Sequence, residues 1–186
     1  WLTACIVHDW FSGAQACGSR ISTLSGDIFH HLCPLKELVN RPPKPAPTLS
    51  FIVEELQQLR GEFENVTIDK AGGIISVVTK PITLEDIPLG PFSIQLDLKR
   101  LYRLYSEAPY RCIALKPNPA GTNEDVTHPH VSAGQLCEGE GYTAIRAALE
   151  EGRLYDFFTL VNSVLNTYSP DSPYVALENW DGEPCY

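Results

Sequence analysis

Four prolines in six positions, Pro42, Pro43, Pro45 and Pro47, interrupt the chain with a stretch that cannot continue a helix. Such a run favours an extended, semi-rigid connector. It therefore predicts a boundary near residue 47, with residues 1–47 as an extension and 48–186 as the main domain. Within the extension, Ser25-Gly26-Asp27 reads as the cap of a helix through Ile28, Leu32, Leu35 and Leu38. Trp1, Trp10 and Phe11 offer aromatic surface for a docking arm.

Past the prolines the apolar period is first helical and then strand-like. Ile52, Leu56, Leu59 and Phe63 recur at three and four after Thr48 or Ser50, each of which can cap a helix. Val66 and Ile68 begin a strand, Ala71-Gly72-Gly73 supplies a hairpin turn, and Ile74 to Thr79 returns as its partner. Phe92, Ile94, Leu96 and Leu98 alternate with Ser93, Gln95 and Asp97, as a half-buried antiparallel strand does. Arg111 to Leu115 completes four strands. After a long stretch rich in Pro, Gly and Asn, Leu154, Phe157, Phe158, Val161, Val164, Leu165 and Tyr168 form a second helical stripe, closed by Ser169-Pro170. The expected class is α+β: an N-terminal helix, a four-stranded antiparallel meander, a long loop, and C-terminal helices packed across one sheet face.

Composition excludes several functions. Of 186 residues, 44% are hydrophobic and 20% charged, which is ordinary for a globular chain and rules out wholesale disorder. No run approaches 18 apolar residues, so no membrane-spanning helix is expected. Fourteen Lys and Arg against 23 Asp and Glu give a net charge of -9, which argues against a protein that tracks nucleic-acid phosphates. From Cys137 onward the acids outnumber Arg146 and Arg153, whereas Ile87 to Pro117 is locally basic; this polarity reads as a solvated face. With no Met and Trp at position 1, the chain reads as a processed or excised fragment. Its six cysteines (5, 17, 33, 112, 137 and 185) form no CxxC pair, which suits a reducing, cytoplasmic compartment and predicts no resident cofactor or metal.

The chemistry concentrates in the long stretch from Pro117 to Gly141, which shows no periodicity and is expected to be a loop; loops of that length are often functional. It carries His128-Pro129-His130 and then Gly134-Gln135-Leu136-Cys137. A cysteine among Gly134, Gly139 and Gly141 is not placed as a small core hydrophobe and is open to act as a nucleophile.

Residues 49 to 177, about, resemble the ubiquitin-conjugating enzyme family. That family carries His-Pro-Asn and then Gly-x-[Ile/Leu]-Cys, matched here by His128 to Cys137 with one residue fewer between them. Its Tyr-Pro-x-x-Pro-Pro-x-Val segment is echoed by Tyr105 to Cys112, and its Asn-Pro-Asp-Asp-Pro segment by Ser169-Pro170-Asp171-Ser172-Pro173. The resemblance implies a Ubc-like fold and a thioester to a ubiquitin-like modifier on Cys137, loaded by an activating enzyme and discharged to an amine of a protein substrate. By position it implies that Ser172, with Asp171 beside it, orients and deprotonates the incoming lysine. It implies that His130, standing where the family has Asn, donates an N–H to the oxyanion, and that His128 and Pro129 brace the loop. The family's Trp after the cysteine is absent, with the acidic, Ala-rich Glu138 to Glu151 in its place as a short helix. The strand from Phe92 is expected to run on to Tyr105, longer than is usual in the family. The first helix carries Glu54, Glu55, Glu62 and Glu64 where the eukaryotic family is basic, which points to a dedicated partner set of the kind found in bacterial ubiquitin-like operons.

Three other readings use the same residues. A catalytically inactive Ubc- or RWD-like interaction module would keep the fold without needing a thiol at 137. A zinc site from His128, His130, Cys137 and Cys185 matches no closed tetrahedral spacing. A Cys–His hydrolase lacks an orienting carboxylate or Asn beside a histidine. Cys112 reads as core, Trp180 as packed onto the domain, and the remaining cysteines and histidines as incidental.

Overall fold

The computed structural model describes residues 15–16, 18–26, 28, 46–103 and 108–182. The chain divides into two compact units, Trp1–Pro45 and Ala46–Tyr186. In the first, residues 18–26 are helical, so Ser25 and Gly26 lie within a helix rather than capping one. Ile21, Leu24 and Ile28 are exposed. Trp1, Trp10, Phe11, Leu32, Leu35, Leu38 and the prolines before Ala46 lie outside the described residues.

The second unit is α+β. Helix α1 (Leu49–Glu62) starts where Thr48 Oγ1 accepts the Phe51 amide at 3.2 Å, and it ends as Phe63 turns to extended backbone. Its inner stripe buries Leu59 and Phe63, with Ile52 and Leu56 half-buried beside them. Strands β1 (Asn65–Asp69) and β2 (Ile74–Val78) then form a hairpin. Its turn uses Gly73 at φ +73°, backbone that residues with a Cβ rarely adopt. The main sheet runs β1-β2-β5-β6, with β5 at Phe92–Asp97 and β6 at Tyr110–Ala114, and every neighbouring pair is antiparallel.

Two elements were not visible in the sequence. A small separate hairpin, β3 (Ile82–Leu84) with β4 (Ile87–Gly90), follows β2 and precedes β5 in the chain. Its two-residue turn places Glu85 and Asp86 at φ 46° and 68°, a conformation ordinarily signalled by Asn-Gly or Asp-Gly. The stretch from Pro117 to Gly141 is not structureless either. It holds a three-stranded sheet of β7 (Val126–His128), β8 (Val131–Ser132) and β9 (Gln135–Leu136), too short to show a period.

The expected long third strand stops at Asp97, and Leu98–Arg103 is a 3-10 turn. There Asp97 Oδ1 accepts the Lys99 amide at 2.9 Å, a local bond that turns the chain, while the Leu98 amide makes a last cross-strand bond to the Gly73 carbonyl.

Helix α2 (Tyr142–Glu151) ends at Gly152, which is left-handed at φ +69° and lies so close to Pro47 that a Cβ would meet its Cγ at 2.6 Å. Helix α3 (Leu154–Leu165) packs Phe157, Phe158, Val161 and Leu165 fully into the core. It ends at Asn166, before Ser169-Pro170. Its N-terminus has no cap from its own side chains. Instead Glu55 of α1, buried, accepts the Tyr155 amide at 2.8 Å. Glu55 therefore belongs to the packing between α1 and α3, not to an acidic docking face; Glu54, Glu62 and Glu64 remain exposed. Among the described residues, no helix is long and apolar enough to cross a membrane.

Glu55→Ala should lower stability by about 1–3 kcal/mol by orphaning the Tyr155 amide, read as a lower urea midpoint with an unchanged slope. A midpoint equal to wild type would remove Glu55 from the support of α3.

Candidate active site

His128-Pro129-His130 connects β7 to β8, and all three residues are buried. The His128 ring bonds at both nitrogens. Nε2–H donates to the Leu165 carbonyl at the end of α3 (2.9 Å), and Nδ1 accepts the His130 amide (3.0 Å). A carbonyl can only accept and an amide can only donate, so this pair of bonds selects the neutral Nε2–H tautomer. Burial holds the His128 pKa down to about 4, an effect the Leu165 carbonyl partly opposes and the neighbouring His130 adds to. Phe92 packs edge-on against the ring at 5.8 Å.

The two residues after His128 reach the other walls. The Pro129 carbonyl accepts the Tyr174 amide at 2.8 Å, and the His130 carbonyl accepts the Cys137 amide at 2.8 Å. His130 Nε2 accepts the Ser169 amide at 3.1 Å, and burial lowers its pKa as well. The proton of neutral His130 therefore sits on Nδ1, the one ring position from which it can donate.

Cys137 follows β9 directly. The β8–β9 turn is Ala133-Gly134, with φ values of 49° and 77°, a tight two-residue hairpin that sends the chain back toward His130. The Gly134 carbonyl accepts the Cys112 amide of β6 at 3.0 Å, while a Cβ at Gly134 would lie 2.9 Å from the Ile113 side chain. The hairpin is thus seated on the main sheet.

Cys137 and His130 line an open cleft of about 570 Å³ together with Ser163 and Val164 at the end of α3 and with Thr167, Ser169, Asp171 and Ser172 beyond it. Of the six residues singled out in the sequence, the structure brings Cys137, His130, Asp171 and Ser172 to this cleft. It places His128 and Pro129 in the packed layer behind. Asp171 and Ser172 are exposed and Cys137 half-buried.

One further side chain at the cleft escaped sequence reading. Glu138 lines it, and its Oε1 accepts the buried Tyr110 hydroxyl at 2.7 Å across from β6. The residue was readable as acidic; its partner lies in another strand, so no local spacing signals the pair. Burial, then the Glu138 charge, pushes the Tyr110 phenol and the Cys112 thiol well above their ordinary ranges. Cys112 is a wholly buried core residue. Both His128 nitrogens are engaged, and among the described residues no group of three or more His, Cys, Asp and Glu is arranged to hold a metal ion.

Iodoacetamide should label Cys137 at least about tenfold faster than Cys112, which is enclosed and whose thiol resists ionisation. Peptide mapping that found equal rates would remove Cys137 from the open cleft. For His128, the unfolded chain takes up a proton near its ordinary value of 6.5 and the folded chain only near 4. Stability should therefore fall as pH drops from 6.5 to 4, by on the order of 3 kcal/mol from this residue. His130 acts in the same direction. Urea midpoints across that window, compared with His128→Gln, isolate the effect: the variant should start lower and show a shallower slope.

No family model matches this chain, and neither the curated proteins nor the solved structures compared with it contain a match.

Proposed function

We propose that the chain is a ubiquitin-like-protein conjugating enzyme with a Ubc-like fold, working in the cytoplasm as part of a bacterial-type conjugation system. The observation that carries this reading is the meeting of Cys137 with Asp171 and Ser172 on one cleft, although a whole helical pair separates them in sequence. The order of elements supports it too: a helix, an antiparallel sheet, a cysteine-bearing hairpin and two helices.

In this reading an activating enzyme delivers the modifier's C-terminal carboxyl to the Cys137 thiolate. A thioester forms, and it stays reactive toward amines while resisting water. His130 Nδ1–H is the donor available to the oxyanion during transfer, a role limited to that nitrogen because Nε2 is occupied by Ser169. Ser172 and Asp171, which line the same cleft, orient the acceptor on its way in. A lysine with a reference pKa of about 10.4 reaches the cleft as an ammonium and must lose a proton before it attacks. The partners are the modifier, its activating enzyme and a protein substrate, with no nucleic acid or membrane involved.

The test is a non-reducing gel of the protein with its activating enzyme, modifier and ATP, beside Cys137→Ala. A thiol-sensitive adduct in wild type alone is the expected result. No adduct with a partner set active on another acceptor would reassign the chain as an inactive module that only binds.

A further inference from the structure

Glu138 is built into the cleft more firmly than its place in an irregular segment requires. It follows Cys137 directly, and its Oε1 is held by the Tyr110 hydroxyl at 2.7 Å. Tyr110 cannot swing away: it is 2% exposed, it lies in β6 paired with Leu96, and its ring packs edge-on against Phe157 at 5.2 Å. A glutamate on an open surface loses considerable rotamer freedom when it is fixed, about 1.5–2 kcal/mol in entropy. Here a buried phenol fixes one oxygen, and the second, Oε2, is available to a ligand.

We propose that Glu138 is the carboxylate that receives the acceptor amine, and that Tyr110 is the positioning residue that holds it beside Cys137. The proposal rests on the conjugating-enzyme reading, whose acceptor is an amine, and names the group that takes that amine's proton. The other cleft walls agree. The charged side chains lining the cleft are Glu138, Glu140 and Asp171, all acidic. They attract an ammonium and repel the thiolate that a second transthiolation would need.

The step balances within these groups. The acceptor ammonium gives one proton to Glu138 Oε2, and the freed nitrogen lone pair attacks the thioester carbonyl. As the C–N bond forms and the C–S bond breaks, the Cys137 thiolate leaves and takes the second nitrogen proton. Glu138 then returns its proton to solvent, so each transfer releases one. The phenol stays protonated throughout, since burial and the adjacent carboxylate both raise its pKa.

The experiment is single-turnover discharge of protein preloaded with modifier, chased with free lysine or with dithiothreitol at pH 6 to 9. It compares wild type, Glu138→Gln, Glu138→Asp and Tyr110→Phe. Each protein is loaded to completion before the chase, so differences in loading do not enter the discharge rates. Lysine discharge should fall about a hundredfold in Glu138→Gln, in the range of a lost general base, and about tenfold in Tyr110→Phe. Raising the pH should recover part of each loss, Glu138→Asp should restore part of the rate, and dithiothreitol discharge should not fall in any variant. Equal losses toward lysine and dithiothreitol, or no loss toward lysine, would overturn the proposal while leaving the thioester reading intact. Wild type that fails to load overturns that reading itself, and the proposal with it.

Discussion

Three pieces of the molecule converge on three buried residues. Through His128, Pro129 and His130 the end of α3, the hairpin bearing Cys137, and the segment from Ser169 to Tyr174 are all tied to one short turn. Each tie uses a group that would otherwise be an unsatisfied buried donor or acceptor, and leaving such a group unpaired costs about 1–3 kcal/mol. The cleft exists because this node holds its two walls together. The node also works only with neutral imidazoles, because a proton on His128 Nδ1 or His130 Nε2 would face an amide hydrogen.

Around that node, Cys112 and Cys137 show how placement divides chemistry within one residue type. Cys112 sits on β6, the last strand of the main sheet, wholly enclosed, and its amide serves to seat the Cys137 hairpin on that sheet. Cys137 stands where the hairpin releases the chain, half-open to a cleft. The same strand supplies Tyr110, whose hydroxyl reaches past the core to the carboxylate next to Cys137. One strand thus supports the hairpin at one point and the cleft wall at another.

Much of the architecture was legible because apolar period reports burial directly. The α1 and α3 stripes, the first hairpin with its Gly73 turn, and the alternation in β5 all follow from side chains that must face one core. Elements without that signal were lost. Glu85 and Asp86 occupy left-handed backbone that a Gly would ordinarily announce, and β7 to β9 are two or three residues long. Leu98 continues the alternation that begins at Phe92 and so predicts a longer strand, while Asp97 caps the turn that ends it. Glu55 departs from its sequence pattern for a different reason. It lies among exposed acids in sequence, and only the approach of α3 turns it inward to accept the Tyr155 amide.

At the candidate site the division is the same. The sequence by itself determined which residues carry chemistry: a cysteine among glycines, a His-Pro-His ahead of it, and a Pro-flanked Asp-Ser after the last helix. It determined the α+β class as well, since that depends on local period. The tertiary structure alone decided that Cys137, His130, Asp171 and Ser172 share one cleft, that His128 lies behind it as a neutral strut, and that Glu138 is held by Tyr110. Local sequence encodes which face of an element is apolar. Which faces meet is set by long-range packing and by hydrogen bonds between segments far apart in the chain, and no local spacing records those.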